Sequence, residues 1–103
     1  MEDWTEQQVK QLSAHPGKRM FIYFYTPMCG TCKVTERMLE VILAMKPELP
    51  IVKCNINFSP DLAQRWQLES VPSIAYVVDG EAADKRYRMQ SVDDLLRWFQ
   101  HKE

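Results

Sequence analysis

At 103 residues, 46% of them hydrophobic and 26% charged, the chain has the size and make-up of one soluble globular domain with a single core. A formal net charge of -1 with no run of Lys or Arg argues against a general nucleic-acid binder, and no apolar stretch exceeds strand length, so no membrane span is expected. The acidic, polar start Met1-Glu2-Asp3-Trp4-Thr5-Glu6 is unlike a signal peptide, which makes a reducing cytoplasm the expected setting.

Asp3 with Glu6 three residues on reads as a capping box that opens a helix over about 4–14, ended by His15-Pro16-Gly17. Its thin apolar face (Trp4, Val9, Leu12) suits a helix covering an edge of the sheet. Met20-Phe21-Ile22-Tyr23-Phe24-Tyr25 has the composition of a buried strand at about 20–25. Cys29-Gly30-Thr31-Cys32 follows, and Val34, Met38, Val41, Ile42 and Met45 then recur at helical spacing to about Lys46, where Pro47 and Pro50 stop the helix. Met38 and Met45 read as helix core, Arg37 and Glu40 as its solvated face. A second strand is expected at about 51–56, with Cys54 a small buried hydrophobe within it.

Ser59-Pro60-Asp61 predicts a capped start for a short helix at about 60–66. Ser73 to Val78 reads as a third strand, and Asp79-Gly80 as the hairpin turn to an antiparallel partner at about 82–89. Ser91 with Asp94 caps a last helix whose Val92, Leu95, Leu96 and Phe99 share one face, and Trp66 and Trp98 read as packing. The order α-β-α-β-α-β-β-α predicts a mixed sheet with helices on both faces and right-handed crossovers.

Two thiols three residues apart, where a strand gives way to a helix, can close into a disulfide. The first also sits where free backbone N–H groups and the helix dipole stabilise a thiolate. Cys29, ahead of the helix, is the expected exposed member, and Cys32, in the first turn, the packed one. In a reducing compartment such a pair reads as catalytic or metal-binding. Gly30 is expected to keep the turn compact and leave backbone open to a client.

The series strand, Cys-x-x-Cys, helix, strand, short helix, Pro-led strand, hairpin, helix resembles the thioredoxin family over essentially the whole chain. The resemblance is carried by Tyr25-Thr26-Pro27-Met28-Cys29-Gly30-Thr31-Cys32-Lys33, by Val71-Pro72-Ser73 with Pro72 standing 43 residues after Cys29, and by Lys53, Asn55, Pro60 and Asp79-Gly80-Glu81. It implies a three-layer α/β/α fold around a four-stranded mixed sheet, with the usual first strand missing or vestigial. It implies dithiol–disulfide exchange, in which Cys29 attacks a client disulfide and Cys32 resolves the mixed disulfide. No cofactor beyond the Cys29–Cys32 pair is implied. The partners implied are disulfide-containing client proteins and an upstream reductase of the thioredoxin-reductase kind, acting on a monomer. The resemblance further implies a cis Pro72, with Val71 offering its backbone to an extended client. Met28, Gly30, Thr31, Val71 and Ser73 are then the client-binding residues, with Lys53, Pro72 and Tyr23 supporting the pair.

The chain departs from the family pattern at five places. Tyr23 stands where a buried Asp often helps deprotonate the second thiol, and Met28 where Trp is usual. Thr31 replaces the Pro between the cysteines, Arg37 a helix-kinking Pro, and Arg88 a Gly beside the client path. No acid near Cys32 is visible in the sequence, which leaves the charge of Lys53, or water, to assist its deprotonation and predicts a resolving step that is slower than in typical family members or less dependent on a buried acid.

Three rival readings come from other classes. A zinc site would need ligands from Cys54, His15 and His101, none of which has paired spacing. A non-catalytic adaptor dedicated to one partner would use the altered surface at Met28, Glu69, Arg88 and Met89. A disulfide-forming oxidant or isomerase would run the same motif in the other direction, which potential and compartment decide.

Overall fold

Five consecutive residues, Met20 to Phe24, are buried, and a strand can bury every side chain only when both faces of its sheet are covered. In the computed structural model, which describes residues 1–102, they form the centre of strand β1 (Arg19–Tyr25). The other elements are α1 (Glu6–Ser13), α2 (Gly30–Met45), β2 (Ile51–Asn55), α3 (Pro60–Arg65), β3 (Ser73–Val78), β4 (Glu81–Arg86) and α4 (Val92–Lys102). The strands lie in the order β2-β1-β3-β4, with β2 parallel to β1 and the other pairs antiparallel. Phe21 and Tyr23 pack with Leu39 and Ile42 of α2 and Leu95 and Phe99 of α4. The alternate residues Met20, Ile22 and Phe24 pack with Val9 of α1 and with Leu62 and Trp66 in and after α3. The period of two along β1 thus divides the core into two layers on a four-stranded mixed sheet.

The expected vestigial first strand survives as a stub on the outer edge of β2. Trp4 N donates to Lys53 O at 2.8 Å, Lys53 N donates to Glu2 O at 2.9 Å, and Asp3 pairs with Lys53 in a single parallel bridge. Asp3 is committed to that bridge and does not cap α1. Thr5 does: its Oγ1 accepts from Gln8 N at 3.2 Å, and Gln8 Oε1 accepts from Thr5 N at 2.9 Å. The helix therefore begins at Glu6, and with Val9 and Ser13 buried it covers a face of the sheet, not an edge.

Two further boundaries differ from expectation because local side chains found other partners. β2 ends at Asn55, whose side chain accepts from Asn57 N to start a 3₁₀ turn over Ile56–Phe58. Ser59 makes no side-chain cap on α3; its hydroxyl donates to Asn55 O at 3.0 Å and lies 3.0 Å from Cys54 Sγ. β4 stops at Arg86, where the guanidinium turns to pair with Asp94 and donates from Nε to Arg88 O. At the hairpin, Asp79 and Gly80 both have positive φ (52° and 83°), and Asp79 Oδ1 accepts from Gly17 N at 2.6 Å. A Cβ on Gly80 would lie 3.2 Å from Ala14, a contact that the neighbour would have to yield to, and its φ of 83° favours glycine as well.

The buried stripe of α2 is Cys32, Thr35, Leu39 and Ile42. Val34, Val41 and Met45, expected in the core, are 54%, 49% and 53% exposed, while Met38 is partly buried against the α4-side layer. The helix turns about its axis so that Cys32 meets the end of β1, and every later residue follows that phase. Leu39→Ala should therefore cost about 2–5 kcal/mol, whereas Val41→Ala should stay within about 0.5 kcal/mol, both read from urea unfolding midpoints.

Candidate active site

β1 delivers the chain to the site at its C-terminal end, and the Tyr25–Met28 turn closes with Cys29 N donating to Thr26 O at 3.3 Å. Cys29 is extended (φ -105°, ψ 110°) and is the N-cap of α2, its Sγ accepting from Cys32 N at 3.1 Å. Capping is ordinarily done by a side-chain oxygen; here a sulfur takes one of the helix's orphan N–H groups. Thr31 Oγ1 lies 3.3 Å from the same sulfur. Cys29 and Cys32 are joined as a disulfide, with Cα atoms 5.2 Å apart; Cys29 is half-buried and Cys32 is 2% exposed. A Cβ on Gly30 would meet nothing within 4 Å, so its space faces outward and the turn itself does not demand a glycine.

The Val71–Pro72 peptide bond is cis. Pro72, Thr31, Val34, Thr35, Tyr87 and Met89 line a groove of about 340 Å³ beside the cysteines. Val71, joined to Pro72, is half-buried, and Met28, next to Cys29 in the chain, is 95% exposed. Ser73, expected among the client-binding residues, begins β3 paired with Phe24, is fully buried and does not line this groove. Arg88 is exposed beyond the end of β4. Val34, Thr35 and Tyr87 complete the groove, and sequence reasoning missed them. Val34 reads in the sequence only as part of the apolar repeat of α2, Thr35 carries no signal there, and Tyr87 falls within the expected strand, which ends before it.

Beneath the pair, Tyr23 is 1% exposed and its hydroxyl donates to the Cys32 carbonyl at 2.6 Å. Burial, reinforced by the Glu36 carboxylate, pushes its phenol well above the ordinary tyrosine value, so it remains a donor across the neutral range. In the parallel register Tyr23 stands opposite Lys53, whose Nζ is 2.8 Å from Glu36 Oε1 and lies over the Tyr25 ring. Tyr25 in turn donates its hydroxyl to Asp3 Oδ2 at 2.7 Å, and burial followed by that bond raises its phenol too. The charge of Lys53 is thus matched by Glu36. The sequence showed no acid near Cys32, but Glu36, one helical turn further along α2, lines a cavity of about 110 Å³ with Cys32, Tyr23, Tyr25 and Lys53. The spacing of four residues could have revealed it.

Among the described residues, no group of three or more His, Cys, Asp or Glu could hold a metal ion, and no helix is long and apolar enough to cross a membrane. The sequence model of the thioredoxin family matches residues 2–101. The chain belongs to the thioredoxin family. It is 36% identical over 81 residues to the thioredoxin-like protein YusE of Bacillus subtilis, covering 79% of this chain and 76% of that one. It is 28% identical over 78 residues to a thioredoxin of Chlamydia trachomatis, covering 76% of each. In fold it is similar to mitochondrial thioredoxin 3 of Saccharomyces cerevisiae in its oxidised form, with a TM-score of 0.79 at 22% identity over 98% of this chain and 94% of that one. It is likewise similar to the thioredoxin of Fasciola hepatica, with a TM-score of 0.83 at 17% identity over the full length of both. Membership of the thioredoxin family and the Cys29–Cys32 redox pair together identify a thiol–disulfide oxidoreductase.

The third thiol stands apart from this thioredoxin site. Cys54 is fully buried, and burial outweighs the opposing Ser59 hydrogen bond to raise its pKa. A thiol whose folded pKa lies above its unfolded value contributes stability below the unfolded pKa, and that contribution is lost as pH rises through the folded one. In a Cys29→Ser, Cys32→Ser protein, the urea midpoint should fall between pH 8 and pH 10 by more than it does when Cys54→Ala is added. Iodoacetamide should label Cys54 only on unfolding.

Proposed function

We propose that this thioredoxin-family protein is a cytoplasmic protein-disulfide reductase, with disulfide-containing client proteins as substrates and an upstream thioredoxin-reductase-like enzyme as electron donor. The observation that carries the reading is the contact of Cys29 Sγ with Cys32 N–H at a helix N-terminus, beside a groove floored by Pro72. In the reduced protein the same N–H and the Thr31 hydroxyl hold a Cys29 thiolate, and helix-terminal Cys-x-x-Cys placement brings such a thiol from about 8.5 towards neutrality.

Cys29 Sγ attacks one sulfur of the client disulfide, forming a mixed disulfide and expelling the other client sulfur as thiolate. Cys32 Sγ then attacks Cys29 Sγ, which forms the Cys29–Cys32 bond and releases the second client thiolate. Two electrons pass to the client, and the upstream reductase restores the dithiol. An extended client segment lies along the groove, pairing with the backbone N–H and C=O of Val71 as an added strand would. Pro72 contributes no N–H of its own, while Met28, Gly30 and Thr31 supply contact around the attacking sulfur. The protein acts as a monomer, with neither nucleic acid nor membrane as partner.

Cys32→Ser should stall the reaction, so that mixed disulfides accumulate on Cys29 and dissolve on adding dithiothreitol. Turnover in an insulin-reduction assay should vanish with either cysteine replaced. A Cys32→Ser protein that traps nothing would remove Cys29 as the attacking group. A Cys29→Ser, Cys32→Ser protein that still binds its partner with native affinity, from a parent without turnover, would establish the adaptor instead.

A further inference from the structure

Cys32 must lose a proton before it can resolve the mixed disulfide, and at 2% exposure in the disulfide form it has little surface of its own to share with bulk water. We propose that Glu36 is the acceptor, taking the Cys32 proton through a water held in the cavity beneath the active-site loop. The assignment rests on the exchange reaction described above and specifies its second step.

The groups facing the cavity can be taken element by element. β1 contributes Tyr23, whose hydroxyl is already donated to the Cys32 carbonyl, and Tyr25, whose hydroxyl is donated to Asp3. β2 contributes Lys53, a donor paired with Glu36. α2 contributes Lys33, another donor, and Glu36. Asp3, on the amino-terminal stub, accepts from Tyr25 but does not line the cavity. Glu36 is therefore the one carboxylate on the cavity wall among the described residues. It stands four residues after Cys32, on the same side of the helix, where side chains are neighbours. Lys53 Nζ, 2.8 Å from Oε1, fixes the carboxylate in place, and a carboxylate with one such contact retains lone pairs on its second oxygen. A volume of about 110 Å³ exceeds the share of one water in the liquid, about 30 Å³, and Cys32, Glu36 and Lys53 on its wall offer the polar partners.

The step balances. The Cys32 S–H proton passes to the water, which gives one of its own to Glu36. The Cys32 thiolate then forms the Cys29–Cys32 bond as the Cys29–client bond breaks with its electron pair on the client sulfur. Glu36 afterwards returns its proton, through the same water, to the departing thiolate or to solvent. Glu36 is thus a proton acceptor for the resolving cysteine, and Lys53 a positioning residue for that acceptor.

The test is stopped-flow reduction of a fluorescent peptide disulfide, in which the rate at saturating peptide reports release and the second-order rate reports attack by Cys29. Glu36→Gln should lower the saturating rate at least about ten-fold between pH 6 and 7, within the range of general-base effects. The residual rate should climb with pH and meet the parent's above about pH 9, where thiol ionisation needs no internal acceptor. The rate of mixed-disulfide formation, also measured in Cys32→Ser, should be unchanged, and Glu36→Asp should recover part of the release rate. Lys53→Met should slow release too, with Glu36→Gln adding little in the double variant. If Glu36→Gln fails to fold, Lys53→Met and Glu36→Asp carry the same comparison, each expected to slow release and to leave attack unchanged, and a parental release rate in both overturning the assignment. A Glu36→Gln protein with the parent's release profile, or one in which attack and release fall together, would overturn the assignment and leave the reductase reading standing. Absence of any mixed disulfide in Cys32→Ser would instead remove the exchange reaction itself.

Discussion

The hydrogen bond from Cys32 N–H to Cys29 Sγ depends on where β1 ends and α2 begins, and most of the molecule serves that junction. A free helix N-terminus is an unsatisfied set of donors, and placing a sulfur there gives those donors a partner whose charge they favour. The arrangement needs a strand that cannot shift register. β1 meets that need because five of its residues are buried between two helical layers, so a slip by one residue would exchange every side chain between the layers. The reactive pair thereby follows directly on a strand buried on both faces, although the loop carrying it lies at the surface.

The layer beneath the pair is organised around polar contacts in place of the usual buried acid. Tyr23 holds the Cys32 carbonyl, Glu36 and Lys53 form a half-buried ion pair, and Tyr25 links Lys53 to Asp3. The ring of Tyr23 occupies the β1 position, and the carboxylate paired with Lys53 comes from α2. The amino-terminal stub is tied into this network twice, through the Asp3 carboxylate and through its backbone bridge to Lys53. A strand reduced to a few residues still seals the edge of β2, where an open row of donors and acceptors would invite pairing with another chain.

Above the pair, the surface is apolar and individual. Met28 projects almost wholly into solvent, and the groove is walled by Val34, Tyr87 and Met89. A methionine adapts its shape more freely than a tryptophan does, and Arg88 sets a positive charge beside the path. In the reaction we propose, such a surface discriminates among clients by shape and charge around a chemical step common to them all.

The redox motif, the order of the elements and the alternation that splits β1 between two layers were all legible in the sequence, because each rests on residue type and short spacing. Where the local patterns were degenerate, contacts from distant segments chose between them. Both Asp3/Glu6 and Thr5/Gln8 fit a capping box, and the bridge of Asp3 to Lys53 left the cap to Thr5. The apolar spacing of α2 established its period but not its rotational phase; packing against β1 buried Leu39 and Ile42 and left Val41 and Met45 outside. Glu36, four residues after Cys32, passed unrecognised in the sequence and became meaningful only when the parallel register brought Lys53 alongside Tyr23 and across from the helix. Short-range order follows from the chain's own dihedrals and periodicities, while the electrostatics beneath the cysteines arise from charges brought together by strands and helices far apart in sequence.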